Sequence, residues 1–207
     1  MKTKFKYILI VLILLAVAGG IYFYVKNKSN DNNDEPNLND NVKFTKEYSD
    51  VPLDNVFVYR DAKSIIKIMR NGTGVVYLGF PECPWCQAYV KYLNATAKEL
   101  GIDKIYYFNI LEDRKNNSET YQEMVSILAD KLQKDDEGNP RIFVPNVSFH
   151  VKGEIIGNDY ETSLDTDNKK NPSEYWTEKA VNSLKKKLTK YMNEVLKETS
   201  KCTDCNK

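Results

Sequence analysis

Two cysteines separated by two residues, Cys83 and Cys86 in Phe80-Pro81-Glu82-Cys83-Pro84-Trp85-Cys86, have a type and spacing that could do chemistry. Thiols so placed can exchange with a disulfide, ligate a metal or form a structural bridge. A second pair with the same spacing, Cys202 and Cys205, lies near the C-terminus. Together the four could complete a tetrahedral zinc site. A zinc ribbon, however, separates its pairs by about 15–20 residues, and here most of the chain lies between them. The single histidine, His150, falls in an expected strand beside a turn, where a structural role is the plainer reading. A Cys–His hydrolase would need it beside Cys83. No metal and no organic cofactor is therefore expected.

The elements around Cys83 and Cys86 set their roles. Gly74–Phe80 is an apolar run of the kind found in a buried central strand. After the cysteines, Cys86, Tyr89, Val90, Leu93, Ala97 and Leu100 recur at helical spacing and stop at Gly101. The pair thus sits where a strand hands over to a helix. Pro84 suits a first helical turn, which puts Cys83 at the cap, exposed, and Cys86 one turn inside and more buried. Unpaired backbone N–H groups at a helix start favour a thiolate. Cys83 is then the attacking sulfur and Cys86 the one that resolves the mixed disulfide.

The remaining pattern supplies a scaffold. A short strand is expected at Val56–Tyr59, then a helix from Asp61 as N-cap to Gly72 as stop. Lys104–Ile110 reads as a strand and Ser118–Leu132 as an amphipathic helix. A hairpin follows, Asn146–Val151 and Glu154–Gly157 around Lys152-Gly153. The last helix opens at Asn171 with Pro172 at its first position and a buried stripe of Trp176, Ala180, Leu184, Leu188, Tyr191 and Val195. The order β-α-β-α-β-α-β-β-α is an α/β pattern in which the closing hairpin adds antiparallel strands.

Compartment is written at the N-terminus. Tyr7 to Val25 is an uncharged apolar run, close to the ~20 residues that cross a bilayer core. Lys2, Lys4 and Lys6 precede it, which orients that end toward the cytoplasm. A cleaved signal peptide with Ala16-Val17-Ala18 as its site is the alternative. The layout expected is a cytoplasmic N-terminus over 1–6, a transmembrane anchor over 7–25, a flexible polar tether over 26–50, a folded domain over 51–198 and a cysteine-containing tail over 199–207. Either processing route exports the domain to surroundings where disulfides persist. A net charge of +1 and the absence of a phosphate loop or nucleic-acid motif exclude nucleic acid as the expected partner.

The strand–Cys83-Pro84-Trp85-Cys86–helix arrangement, with Phe143-Val144-Pro145-Asn146 and Lys152-Gly153-Glu154 downstream, resembles the thioredoxin superfamily over roughly Val51 to Leu196. It is similar to exported, membrane-tethered thioredoxin-like proteins of Gram-positive bacteria, some of them called bacteriocin transport accessory proteins. The resemblance implies a thioredoxin-like fold, a central mixed sheet flanked by helices, preceded here by one transmembrane helix. It implies a cis peptide bond at Pro145 opposite the cysteines, a Val144 backbone that binds substrate peptide, and Trp85 at the substrate surface. The chain departs from the pattern in two places. Pro84-Trp85 stands between the cysteines, with Glu82 positioned to disfavour a Cys83 thiolate. Tyr77 occupies a position where many relatives carry a buried carboxylate that takes the proton of the resolving cysteine. Glu112 and Asp113 are the alternative acids.

The activity implied is thiol–disulfide exchange with exported proteins, without a cofactor, recharged by a membrane redox partner if it runs as a reductant. The alternative is a non-catalytic peptide-binding accessory or scaffold in which Cys83 and Cys86 are a permanent staple. Cys202 and Cys205 are either a local disulfide in a frayed end or a second redox pair that relays electrons to Cys83–Cys86.

Overall fold

The computed structural model describes residues 38–160 and 171–204, with side chains as far as residue 200. The expected cytoplasmic N-terminus, the anchor, the first part of the tether, Cys205 and the side chain of Cys202 lie outside the described residues.

In chain order the elements are α1 (Leu38–Glu47), β1 (Phe57–Tyr59), α2 (Ala62–Asn71), β2 (Gly74–Gly79), α3 (Pro84–Leu100), β3 (Ile105–Asn109), α4 (Leu111–Lys115) and α5 (Glu119–Leu128). There follow β4 (Gln133–Lys134), β5 (Pro140–Arg141), β6 (Asn146–Val151), β7 (Glu154–Asp159), α6 (Pro172–Tyr175) and α7 (Glu178–Asp204). Five strands form one mixed sheet in the order β1-β3-β2-β6-β7. β3 runs parallel to both β1 and β2, whereas β6 pairs antiparallel with β2 and β7 with β6. Helices α3 and α7 pack together, as do α2 and α5. The result is an α/β fold with a mixed sheet flanked by helices, an arrangement compatible with the expected thioredoxin-like fold. Among the described residues no helix is long and apolar enough to cross a membrane.

β2 is central because all six of its residues are apolar or glycine, and all are buried. Local stops and starts follow side-chain chemistry. Asp61 accepts from the Ser64 N–H at the start of α2, and Ser118 accepts from Tyr121 at the start of α5. Gly101, at φ 79°, closes α3 in the left-handed conformation.

Two stretches depart from expectation. Part of the segment expected to complete the tether is instead α1, so folded structure is already present over Leu38–Glu47, ahead of Val51. Most of its residues are polar, but Phe44 is fully buried and its ring stacks on Phe57 at 3.8 Å and on Tyr48 at 4.5 Å. Asp40 adds a polar tie, accepting from the Tyr59 N–H at 3.2 Å. Burial of one such ring contributes about 1.5–3 kcal/mol, one of the contacts that together hold a helix whose average composition reads as a linker. The last helix is also two. Asn171 caps α6 as expected, but the helix stops at Trp176. Thr177 restarts it, its hydroxyl accepting from the Ala180 N–H at 3.3 Å. Trp176 thereby leaves the buried stripe of α7 and packs on Tyr92 and Tyr175, with ring centroids 5.0 Å away in each case.

Candidate active site

Cys83 is the N-cap of α3, with extended backbone at φ −84° and ψ 114°, and Pro84 begins the helix. Its Sγ accepts from the Cys86 N–H at 3.2 Å, so the sulfur takes up one of the donors that a helix start leaves without an internal partner. Both cysteines are free thiols. Cys86 is wholly buried, as expected, but Cys83 is only 7% exposed, a correction to its expected openness. The backbone that narrows its surroundings is that of Val144, whose carbonyl oxygen lies 3.8 Å from Sγ. At that distance the S–H is a weak donor. The Val144–Pro145 peptide bond is cis, which agrees with the expectation for Pro145.

The two thiols differ electrostatically in the direction their positions dictate. The Cys86 thiol hydrogen-bonds the Cys83 sulfur and, with the Cys86 and Trp85 N–H groups and the Arg114 guanidinium, pulls the Cys83 pKa down to about 7 despite burial. The direction is opposite to the rise that was expected from Glu82. Arg114, from α4, lies with its guanidinium 4.9 Å from the centre of the Phe80 ring. Burial pushes the Cys86 thiol well above its ordinary range, and the neighbouring Cys83 adds to the rise. The Phe80 N–H and the Tyr77 hydroxyl pull the other way.

Beneath Cys86 lies a cluster of tyrosines. Tyr59, Tyr107 and Tyr77 stand in register on β1, β3 and β2, and Tyr48, just past α1, closes over them. The Tyr48 and Tyr107 hydroxyls pair at 3.2 Å, and the Tyr77 ring stacks on Tyr107 with centroids 5.4 Å apart. Tyr77 is completely buried, and its hydroxyl has no hydrogen-bond partner of good geometry among the described residues. Tyr89, one turn beyond Cys86 on α3, donates to the buried Asp159 carboxylate at 2.8 Å. Sequence reasoning missed Tyr48, Tyr107 and Arg114. The unbroken apolar run Ile105–Phe108 was a signal for Tyr107, whereas Tyr48 was hidden by the polar residues around it.

Other candidates separate from the pair. His150 lies opposite Gly74, at the end of β2 remote from the cysteines, roughly 16 Å from Gly79 at ~3.3 Å per residue. Its Nε2 lies 2.8 Å from the Ser148 hydroxyl, and a Cys–His pair is thereby excluded. Asp113 accepts from Ser118 and Thr120 at 2.7 and 2.6 Å, and Glu112 pairs with Lys115. Neither acid has a bond to the thiols. Among the described residues no group of three or more His, Cys, Asp and Glu is arranged to hold a metal ion.

Trp85 is half-buried and meets Tyr175 of α6 edge to face at 5.2 Å. Beside it, an open depression of about 700 Å³ flanks the start of α3, lined among others by Ser49, Glu82, Pro84, Gln87, Lys91 and Trp176. Neither a protein-family model nor a curated protein matches the chain.

Proposed function

We propose that the protein is an extracytoplasmic, membrane-anchored thiol–disulfide oxidoreductase of the thioredoxin superfamily. The single observation that carries the reading is the asymmetry of the pair: Cys83 caps α3 and its sulfur accepts the Cys86 N–H, while Cys86 is wholly buried behind it, surroundings that lower the first thiol's pKa and raise the second's. A permanent staple needs no such asymmetry. A low-pKa thiol next to a resolving partner is the arrangement that exchange chemistry requires.

In the reducing direction the Cys83 thiolate attacks one sulfur of a substrate disulfide. The substrate S–S bond breaks, a mixed disulfide forms on Cys83, and the departing substrate thiolate takes a proton. Cys86 then loses its proton and attacks Cys83 Sγ. The mixed disulfide breaks, Cys83–Cys86 forms, and the second substrate sulfur leaves and is protonated. The dithiol is oxidised and the substrate disulfide reduced by the same two electrons. Oxidation of a substrate runs through the same intermediate in reverse. The Val144 carbonyl, 3.8 Å from the Cys83 sulfur, is suited to meet the backbone of an extended polypeptide there, and the half-buried Trp85 near Cys83 adds an apolar contact. Placement outside the cytoplasm and tethering rest on the apolar run Tyr7–Val25. Substrates are exported proteins carrying thiols or disulfides, and a membrane donor or acceptor resets the pair.

The test is substrate trapping with the full chain carrying Cys86→Ala. It is expected to accumulate mixed disulfides with exported proteins that dithiothreitol releases and that Cys83→Ser does not form. An empty trap, together with no thiol-dependent reduction of insulin by the wild type, would leave the scaffold reading in its place.

A further inference from the structure

We propose that Tyr77 is the hydrogen-bond donor that meets the Cys86 thiolate in the resolving step, its hydroxyl held without a partner until that charge forms. This rests on the exchange reading above.

Three observations support it. The hydroxyl is fully buried yet unpartnered, while the adjacent Tyr48 and Tyr107 hydroxyls satisfy one another. An unsatisfied buried hydroxyl costs roughly 1–3 kcal/mol, so it calls for a reason. Second, its position is tightly determined. The ring is stacked on Tyr107, and the oxygen lies over Gly79, where a Cβ would come within 2.3 Å of it. Only glycine leaves room for the hydroxyl at the end of β2 that leads into the cysteine loop. Third, that loop returns Cys86 to the same place. The Phe80 N–H, next to Gly79, and the Tyr77 hydroxyl both act on the Cys86 sulfur in the sense that favours thiolate. The groups facing Cys86 are therefore Cys83 on α3, Tyr77 on β2, Tyr107 on β3 and Tyr48 beyond α1.

The chemistry decides which role Tyr77 can take. Burial and the neighbouring Cys86 raise the phenol well above its ordinary value, so it does not accept the Cys86 proton as a base. A group that keeps its proton is suited to donate. In the dithiol state Cys86 is a neutral thiol and gives the phenol little to bind. When Cys86 becomes the attacking or the leaving thiolate, a charge-assisted bond becomes available, and such bonds are roughly twice as strong as neutral ones. Catalytic hydrogen bonds are often poorly aligned before the charge develops. The same thiolate arises whichever way electrons run, so Tyr77 speeds oxidation and reduction alike and leaves the equilibrium between them unchanged.

The experiment uses the full chain with Cys202→Ser and Cys205→Ser, so that only Cys83 and Cys86 report, and the aromatic disulfide of thionitrobenzoate as probe. Cys83 attack releases one coloured thiol, and resolution by Cys86 releases the second. Tyr77→Phe keeps the ring and removes only the oxygen. It is expected to leave the first phase unchanged, to slow the second about tenfold or more, and to displace the rise of its rate with pH upward. The equilibrium with glutathione should stay within about twofold of the parent. Tyr48→Phe is expected to slow the second phase less than Tyr77→Phe. An unchanged second phase in Tyr77→Phe, or equal slowing in both variants, would overturn the assignment. If the parent releases one thiol and never a second, the redox reading itself fails and this inference with it.

Discussion

The two ends of β2 each bury a titratable side chain with an unsatisfied polar atom, and they use it differently. At the end leading into the cysteines the atom is the Tyr77 hydroxyl; at the other it is Nδ1 of His150, opposite Gly74. Beside Tyr77 lies Cys86 and, through it, Cys83, the two thiols that change charge in the proposed exchange. Around His150 the neighbours are a serine and backbone, and burial alone pushes its pKa down to about 4. On the proposed reading, the same kind of burial serves chemistry where a strand ends at a helix start, and only constrains stability where it ends at a hairpin. A titratable group in a core carries function when a second group that changes charge lies within reach of it.

The comparison breaks most sharply on the thiols. Cys83→Ser is expected to abolish exchange with insulin, whereas His150→Asn leaves it intact; loss of exchange in the histidine variant would join the two ends functionally. Next is the floor of the tyrosine end. Phe44→Ala removes the ring that holds α1 against Phe57 and Tyr48 and should cost about 3–5 kcal/mol in denaturant unfolding. A cost near zero would mean that α1 is not part of the folded unit.

The histidine end is tested by acid. Its folded-state pKa is lowered, so between about 4 and 6.5 the folded protein binds fewer protons than the unfolded chain. The stability concerned is present above pH 6.5 and is lost as pH falls toward 4, a loss on the order of 3 kcal/mol. His150→Asn should flatten that part of the pH–stability curve relative to wild type. A parallel curve would show that His150 is reached by solvent.

At the cysteine end, alkylation of Cys83 by iodoacetamide in a chain lacking Cys202 and Cys205 should rise with pH and reach half its maximum near 7, the buried Cys86 reacting far more slowly. An ordinary thiol would do so near 8.5. Loss of the Cys86 thiol raises that midpoint somewhat, since it is the largest lowering influence on Cys83. The smallest expected effect is Arg114→Ala in the same background, a slight further rise, because Arg114 is the least of the influences named for Cys83.

Local chemistry was legible where one residue type controls one local event. Asp61, Ser118 and Asn171 were readable as caps because a short side-chain acceptor meets N–H groups only two or three residues away. The Cys83–Cys86 site was readable for the same reason: spacing, Pro84 and the preceding apolar strand suffice to place one sulfur at a helix start. α1 was not readable, since its stability comes from one ring, Phe44, meeting Phe57, Tyr59 and Tyr107 across the chain. The split between α6 and α7 escaped because Pro172 and the apolar stripe suit one continuous helix, whereas the Thr177 cap and the packing of Trp176 favour two.

By itself, then, the sequence determined the order of the five main-sheet strands and of the helices between β1 and β6 that cap on Asp61, Cys83 and Ser118, and the cysteine spacing, all governed by interactions within a few residues. Only the tertiary structure decided which thiol is shielded and how far, that Val144 rather than solvent faces Cys83, and that Tyr48, Tyr77 and Tyr107 gather beneath Cys86. Those outcomes depend on parallel register between β1, β3 and β2 and on a helix that returns over them. Long-range packing of this kind is set by the whole core at once, and so no local pattern announces it.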